Sequence, residues 1–519
     1  MVMWFAQRPP SIDAVTPSTA ETGATITVEG SGFGQQGRLT IDRRGLPEAA
    51  VRRWTSNLII LTIPERQASG LVRVTTRNGE SNPVFLTVAD QLPRTRGGAG
   101  VQVDAVSPDA LAVGGRLIIE GRGFGPRTGG SRVRIAANGG FHEWRGASSL
   151  VPVWTEQRIE LVLDRPVPPG SYELEINGSA VEQALRIAEP QASVAYGPAE
   201  SYGLTLTTRA ENAAEEMVLV VPRLPDLPEQ PASQLVESNR EPVDRDSRSV
   251  RYRLATVEAG GDDEEAPPPV QLVERTVVVE RRSLRWSLDA ALGSAVLLEP
   301  WFRLAFRPWL APPGPTAEPQ ADELISELAA GIDVTAPVIT IVRSLDERVR
   351  TRLDPDPAGV SRPWELTGTD PETGARAAAY AELAVALARR LGVPARRHMG
   401  VILDDAGEAV DHVWVEYFVP GPGWYPSDPA LADGLHASRT SGLDAFYGEQ
   451  RVTLGALDAR RASIAIDGRE PVRRYPLGAV LLPEESWAPG HLWMESPAAT
   501  LPDDLRVRWE RPRLFPWFN

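Results

Sequence analysis

Short runs of alternating apolar and polar residues, closed by glycine or proline, fill the N-terminal half of the chain and predict β-strands. Thr25-Ile26-Thr27-Val28 and Arg116-Leu117-Ile118-Ile119 are such runs, and Gly70-Leu71-Val72-Arg73-Val74-Thr75 and Gly170-Ser171-Tyr172-Glu173-Leu174-Glu175 read as later strands. Residues 204–208 and 250–254 alternate, 217–221 are continuously apolar, and 276–279 are β-branched. Further on the period changes. Val338, Ile341, Val342, Leu345 and Val349 fall on one face of a helix predicted over 338–353, after a shorter one at 323–328. Leu383, Leu387 and Leu391 stack at i+4 through an alanine-rich run that Gly392 and Pro394 stop. Strands then return at 399–403, 412–419 and 424–428, with weaker signals at 451–454 and 479–482. The apolar stretch 284–310 is broken by Asp289, Glu299, Arg303 and Arg307, so it reads as packed helix or loop and not as a membrane span. The proline-rich stretch 308–319 reads as a linker, and the acidic, proline-rich run 260–269 as a solvated loop.

The strand pattern is duplicated. Ile12-Asp13-Ala14-Val15-Thr16-Pro17 matches Val103-Asp104-Ala105-Val106-Ser107-Pro108, and Val28-Glu29-Gly30-Ser31-Gly32-Phe33-Gly34 matches Ile119-Glu120-Gly121-Arg122-Gly123-Phe124-Gly125. The offset is 91 positions (12 to 103) and becomes 100 after an insertion (54 to 154). The Gly-x-Gly-Phe-Gly turn needs glycine for positive φ, and its phenylalanine is placed to plug a sandwich. The two copies resemble the immunoglobulin-like IPT/TIG family. That resemblance implies a spacer, a binding surface or a dimerisation surface; some members bind DNA and some bind glucan. No exposed aromatic ladder supports the glucan reading.

Composition narrows the choices. The net charge of −15 over 519 residues disfavours a nucleic-acid partner, since phosphate binding wants a basic face. All 54 basic residues are arginine, where a chain this long ordinarily carries roughly 25–30 lysines. Lysine absence fits either codon bias in a GC-rich genome or escape from lysine-directed chemistry, and it excludes a Lys–Asn isopeptide staple. Zero cysteine excludes disulfides, zinc-thiolate sites and thiol catalysis. Met1–Pro10 lack a charged segment followed by an apolar core, so no signal peptide is evident, and the compartment stays open.

The chemistry-bearing stretch is Asp411-His412-Val413-Trp414-Val415-Glu416, followed by Gly423-Trp424-Tyr425-Pro426-Ser427-Asp428-Pro429. Upstream, Leu391-Gly392-Val393-Pro394-Ala395-Arg396 ends the alanine-rich helix. Together these resemble the transglutaminase-like superfamily, whose members attack amides with a cysteine at the start of that helix. The resemblance implies a papain-like α+β fold, a His412–Asp428 pair, and a nucleophile position at Ala377, or at Arg376 with a one-residue shift. Neither residue can attack a carbonyl. The nearest hydroxyls are Thr373 and Tyr380. A His–Asp pair without a nucleophile can orient a proton but forms no acyl-enzyme.

The expected architecture is multidomain, with N-terminal all-β immunoglobulin-like sandwiches, a β-rich middle domain and an α+β transglutaminase-like domain. The expected bounds are 9–90 and 101–190 for the IPT/TIG copies, 195–286 for a further β-sandwich, 320–440 for the transglutaminase-like domain, and 441–519 for a C-terminal extension with an aromatic tail. The middle sandwich resembles the one preceding the catalytic domain in many bacterial transglutaminase-like proteins. The aromatic tail, with Phe515, Trp517 and Phe518, reads either as tucked into its own domain or as an exposed anchor. Catalysis is not expected: Ala377, His412 and Asp428 form a degenerate site. Trp414, Trp424 and Glu416 are candidate binding residues, with core packing as the competing reading. No metal or other cofactor is expected. The expected function is a non-catalytic scaffold or binding protein for other proteins or copies of itself. The rivals are a carbohydrate- or peptide-binding protein using a vacant cleft, a hydrolase with a hydroxyl nucleophile, and a subunit of a larger particle such as a surface layer, a phage or an injection apparatus.

Overall fold

A computed structural model describes residues 10–88, 101–254, 270–288, 295–312, 319–360, 375–467, 480–481 and 492–517, apart from short stretches within them. The loop reading for 260–269 and the candidate hydroxyl of Thr373 lie outside the described residues. The chain forms two compact units, 1–100 and 101–519.

The first unit is a two-sheet sandwich. One sheet runs Ser11–Thr16, Thr25–Ser31, Leu58–Thr62, Val51–Trp54; the other runs Thr19–Ala20, Val84–Val88, Gly70–Thr76, Arg38–Ile41, Arg44–Gly45. Alternation does the building: Ile26, Val28, Ile59, Leu61, Val72 and Val74 point into one core. The second unit opens with the same design, strand for strand. Gln102–Ser107, Arg116–Arg122, Arg158–Val162 and Val153–Trp154 face Ala110–Leu111, Ser179–Ile187, Gly170–Ile176, Arg132–Ala137 and Gly140–Arg145. The register shift in the opening strand recurs too, between Ile12 and Ala14 and between Val103 and Ala105.

The glycine turn explains itself in both copies. A Cβ on Gly30 would sit 2.0 Å from the Ser11 carbonyl oxygen, and one on Gly121 would sit 2.0 Å from that of Gln102. Phe33 and Phe124 fill the space left beneath, fully buried.

A third sandwich follows. Its spine is Ala192–Glu211 paired antiparallel with Val270–Leu288 along nearly their whole length. The C-terminal segment, expected as part of an extension, supplies strands to it. Arg506–Trp509 and Arg513–Pro516 pair with Ala192–Glu211, and Trp493–Glu495 pairs with Val218–Pro222 in the opposing sheet. Phe515 and Trp517 lie over Gly203, where an added Cβ would meet the Phe515 ring at 2.4 Å.

The transglutaminase-like part is a four-stranded antiparallel sheet, in the order Gly423–Ser427, Ala409–Val419, Ala395–Leu403, Arg461–Ile466. Its last strand also comes from the stretch expected as an extension. Helices Pro319–Ala329, Val338–Arg352 and Ala377–Arg390 share one core with it. Val338, Ile341, Val342, Leu345 and Val349 are all buried, as their spacing predicts. The helix Ala377–Arg390 ends with the Val393 amide donating to the Ala388 carbonyl at 2.9 Å and Gly392 at φ 81. Part of the linker reading at 308–319 does not hold: Arg307–Leu310 is a helical turn, and Phe302 and Phe306 just before it stack on one another and are fully buried against Phe418.

The sheet is covered on both faces. Helices and the second sandwich contribute to one core. On the other side Val401, Leu403, Ala462 and Ile464 meet Leu204, Leu206, Val277 and Val279 of the third sandwich. That double cover is why Val413–Val419 reads as a near-continuous apolar run.

Candidate functional site

Strand Ala409–Val419 carries His412, and strand Gly423–Ser427 delivers Asp428 just past its end. Val415 pairs with Ser427, so the two side chains meet across neighbouring strands. His412 Nε2 is 2.7 Å from Asp428 Oδ2. Asp428 also caps the helical turn Pro429–Ala432, accepting from the Leu431 amide at 3.0 Å through Oδ1. Arg461 Nη1 donates to Asp428 Oδ2 at 2.9 Å. Burial alone would push the Asp428 carboxyl up, but His412 and Arg461 outweigh it and hold the group well below the usual carboxylate range.

Arg461 belongs to a wider buried network. Its Nε donates to Asp458 Oδ2 at 2.9 Å and its Nη2 to the Tyr447 hydroxyl at 3.0 Å. Arg461 and Asp428 are completely shielded from solvent. Breaking such a pair on one side costs on the order of 3–5 kcal/mol.

The other ring nitrogen of His412, Nδ1, is buried and has no hydrogen-bond partner among the described residues. Its ring lies 5.9 Å from that of His436, whose own acidity is shifted to about 4 by burial and then by His412. Ala377 stands in the first turn of the helix Ala377–Arg390, buried, with only a methyl group to offer. No hydroxyl is bonded to His412 among the described residues. Tyr380, one of the two candidate hydroxyls, is committed elsewhere: it donates to the Leu353 carbonyl at 3.0 Å and to Asp433.

Trp414, Trp424 and Glu416 lie inside the fold. Trp414 is fully buried; its ring stacks on His398 at 5.3 Å and lies under Arg461 at 5.2 Å. Trp424 carries the Arg396 guanidinium 3.9 Å above its ring and touches Trp309 edge-on at 5.4 Å. Glu416 accepts from Arg396 Nε at 2.7 Å and lies 2.7 Å from His398 Nε2.

Sequence reasoning passed over His398, Ser463, Arg461, Gln230 and Arg281. His398 Nδ1 is 3.0 Å from Ser463 Oγ, and Gln230 from the third sandwich reaches the backbone of Ser463. His398 and Ser463 share no local motif, so only the pairing of Ala395–Leu403 with Arg461–Ile466 could reveal them. Among the described residues no cluster of three His, Asp or Glu is arranged to hold a metal ion. None of the described helices is long and apolar enough to cross a membrane.

Residues 10–89 match the IPT/TIG domain family, and residues 327–429 match the transglutaminase-like superfamily. The chain thus carries an N-terminal IPT/TIG domain and a transglutaminase-like domain that has no cysteine anywhere in its sequence. Among solved structures, a candidate cysteine protease from Cytophaga hutchinsonii is 13% identical at a TM-score of 0.32, covering 53% of this chain and 91% of that one. The surface glycan-binding protein PbSGBP-B from Prevotella bryantii is 8% identical at 0.17, over 53% and 98%. SGBP-B from a xyloglucan utilization locus in Bacteroides uniformis is 12% identical at 0.15, over 53% and 99%. A comparison with curated proteins finds no match.

Proposed function

We propose that this is a non-catalytic scaffold or binding protein, in which a transglutaminase-like domain without its thiol serves assembly and turns over no amide substrate. One observation carries the reading. His412 and Asp428 are sealed from solvent beneath Arg461, and the position that would supply a nucleophile is the buried methyl of Ala377. A proton-handling pair in that setting acts as a structural polar unit, because each member gives the other a buried hydrogen-bond partner. Trp414 and Trp424, packed on His398 and under Arg396, strengthen that interior instead of presenting a ligand platform. The partners that fit this reading are other proteins or further copies of the chain, contacted through the outer faces of the sandwiches.

The test is direct. Purified protein is incubated with peptide and glutamine-amide substrates, with and without amine acceptors. No turnover above the uncatalysed rate is expected. Turnover that disappears in the His412→Ala variant would overturn the reading.

A further inference from the structure

The contact between the third sandwich and the transglutaminase-like sheet holds a complete set of acyl-transfer parts around one side-chain amide. Gln230, from the turn between Val218–Pro222 and Ser233–Ser238, lies against the edge strand Arg461–Ile466. Its Oε1 accepts from the Ser463 amide at 2.9 Å and from Arg281 Nη1 at 3.3 Å. Its Nε2 donates to the carbonyls of Pro225 at 2.9 Å and Ser463 at 3.0 Å. Four contacts thus fix a planar carboxamide, two of them donors aimed at its oxygen. Ser463 Oγ meets His398 Nδ1 at 3.0 Å, and His398 Nε2 meets Glu416 Oε2 at 2.7 Å. Glu416 is held ionised: burial pushes its carboxyl up, but Arg396 and His398 bring it below the usual range. An ionised acceptor at Nε2 puts the ring proton there, so the Nδ1 lone pair faces the serine hydroxyl. Gln230, Ser463, His398 and Arg281 are all fully buried. Arg281 keeps Nε and Nη2 without hydrogen-bond partners among the described residues, so it has donors to spare for a developing negative charge.

We propose that Ser463 and Gln230 react with each other once, during or after folding, to form an intramolecular ester that ties the third sandwich to the transglutaminase-like sheet. In this reaction Ser463 Oγ, still hydrogen-bonded to His398 Nδ1, attacks Cδ of Gln230. His398 Nδ1 takes the hydroxyl proton as the Oγ–Cδ bond forms. The oxyanion on Oε1 rests on the Ser463 amide and the Arg281 guanidinium, the arrangement that stabilises a tetrahedral intermediate. The Cδ–Nε2 bond then breaks, His398 returns the proton to the leaving amine, and ammonia departs. No oxidant or co-reactant is needed. Exclusion of water from the buried site protects the ester from hydrolysis. The bond joins residues 233 positions apart in a chain with neither cysteine for a disulfide nor lysine for an isopeptide. It uses a different imidazole from His412, so it stands or falls apart from the absence of turnover proposed above.

Intact-mass measurement of the full-length protein tests it. The expected mass is below that of the sequence by one ammonia, about 17 Da. An arginine-specific digest should yield a branched peptide joining Gln230 to Ser463 that hydroxylamine cleaves, and the Ser463→Ala chain should show full mass. A wild-type chain at full mass overturns the proposal, whatever the variant does. So does a mass deficit that fragmentation assigns to succinimide at the Asn–Gly pairs of Asn78, Asn138 or Asn177, or a linkage that persists in Ser463→Ala.

Discussion

Asp346 shows how burial sets chemistry residue by residue. It sits on the buried face of the helix Val338–Arg352 and accepts from Ser427 Oγ at 2.9 Å and the Tyr417 hydroxyl at 3.1 Å. Burial pushes its carboxyl up to about 6, against the pull of those two hydrogen bonds. The folded value lies above the unfolded one of about 3.9. Between roughly pH 4 and 6 the folded chain therefore holds a proton that the unfolded chain has lost, and this residue's contribution to stability falls as pH rises through that window. Asp346→Asn keeps the accepting oxygen without the charge. Relative to wild type, it should gain about 2–3 kcal/mol of unfolding free energy on going from pH 4 to pH 7.5. Urea denaturation at both pH values checks this, and an equal difference at the two would refute it. At this scale the sequence pointed to His412 and Asp428 through their flanking motif. It was silent on Asp346, whose partners are 71 and 81 positions away.

At the scale of elements, the repeated turn makes the sharpest prediction. Gly30 and Gly121 are places where the backbone of the opening strand passes too close for any side chain. Gly121→Ala forces the opening strand of the second sandwich off its register, and Gly30→Ala does the same to the first. Each should cost on the order of 1–3 kcal/mol, the usual range for overpacking a closed site. Because the first sandwich has its own core, Gly30→Ala should lower the melting of the isolated 1–100 fragment by the same amount as in the full chain. Calorimetry of both decides it; a fragment unaffected by the change would sink the argument. Elements with a strong period were legible: the helix Val338–Arg352 buries the very face that its spacing marks. Two-residue strands such as Thr19–Ala20 and Ala110–Leu111 were not, because so short a run carries no period.

At the scale of the molecule, the chain returns to its middle. The third sandwich begins at Ala192 and is completed by strands from the last 40 or so residues. Leu505, Val507 and Leu514 are buried in it. Removing residues 506–519 bares the edge of Ala192–Glu211 and uncovers those cores. Unpaired edges invite pairing between chains. The truncated protein should therefore elute as oligomers or aggregates in size-exclusion chromatography, while the full chain keeps its elution volume. An unchanged profile would show that the C-terminal strands are dispensable.

The sequence by itself determined the strand-rich first half, its internal repeat, the helical face over 338–349, and the absence of any thiol, because alternation, self-similarity and composition are local properties of a chain. Only the tertiary structure decided that the C-terminal segment closes the third sandwich, that Arg461 locks the His412–Asp428 pair, and that Gln230 meets Ser463 beside His398. Those contacts join residues far apart in sequence, and they arise from sheets burying one another, a process that leaves no period to read.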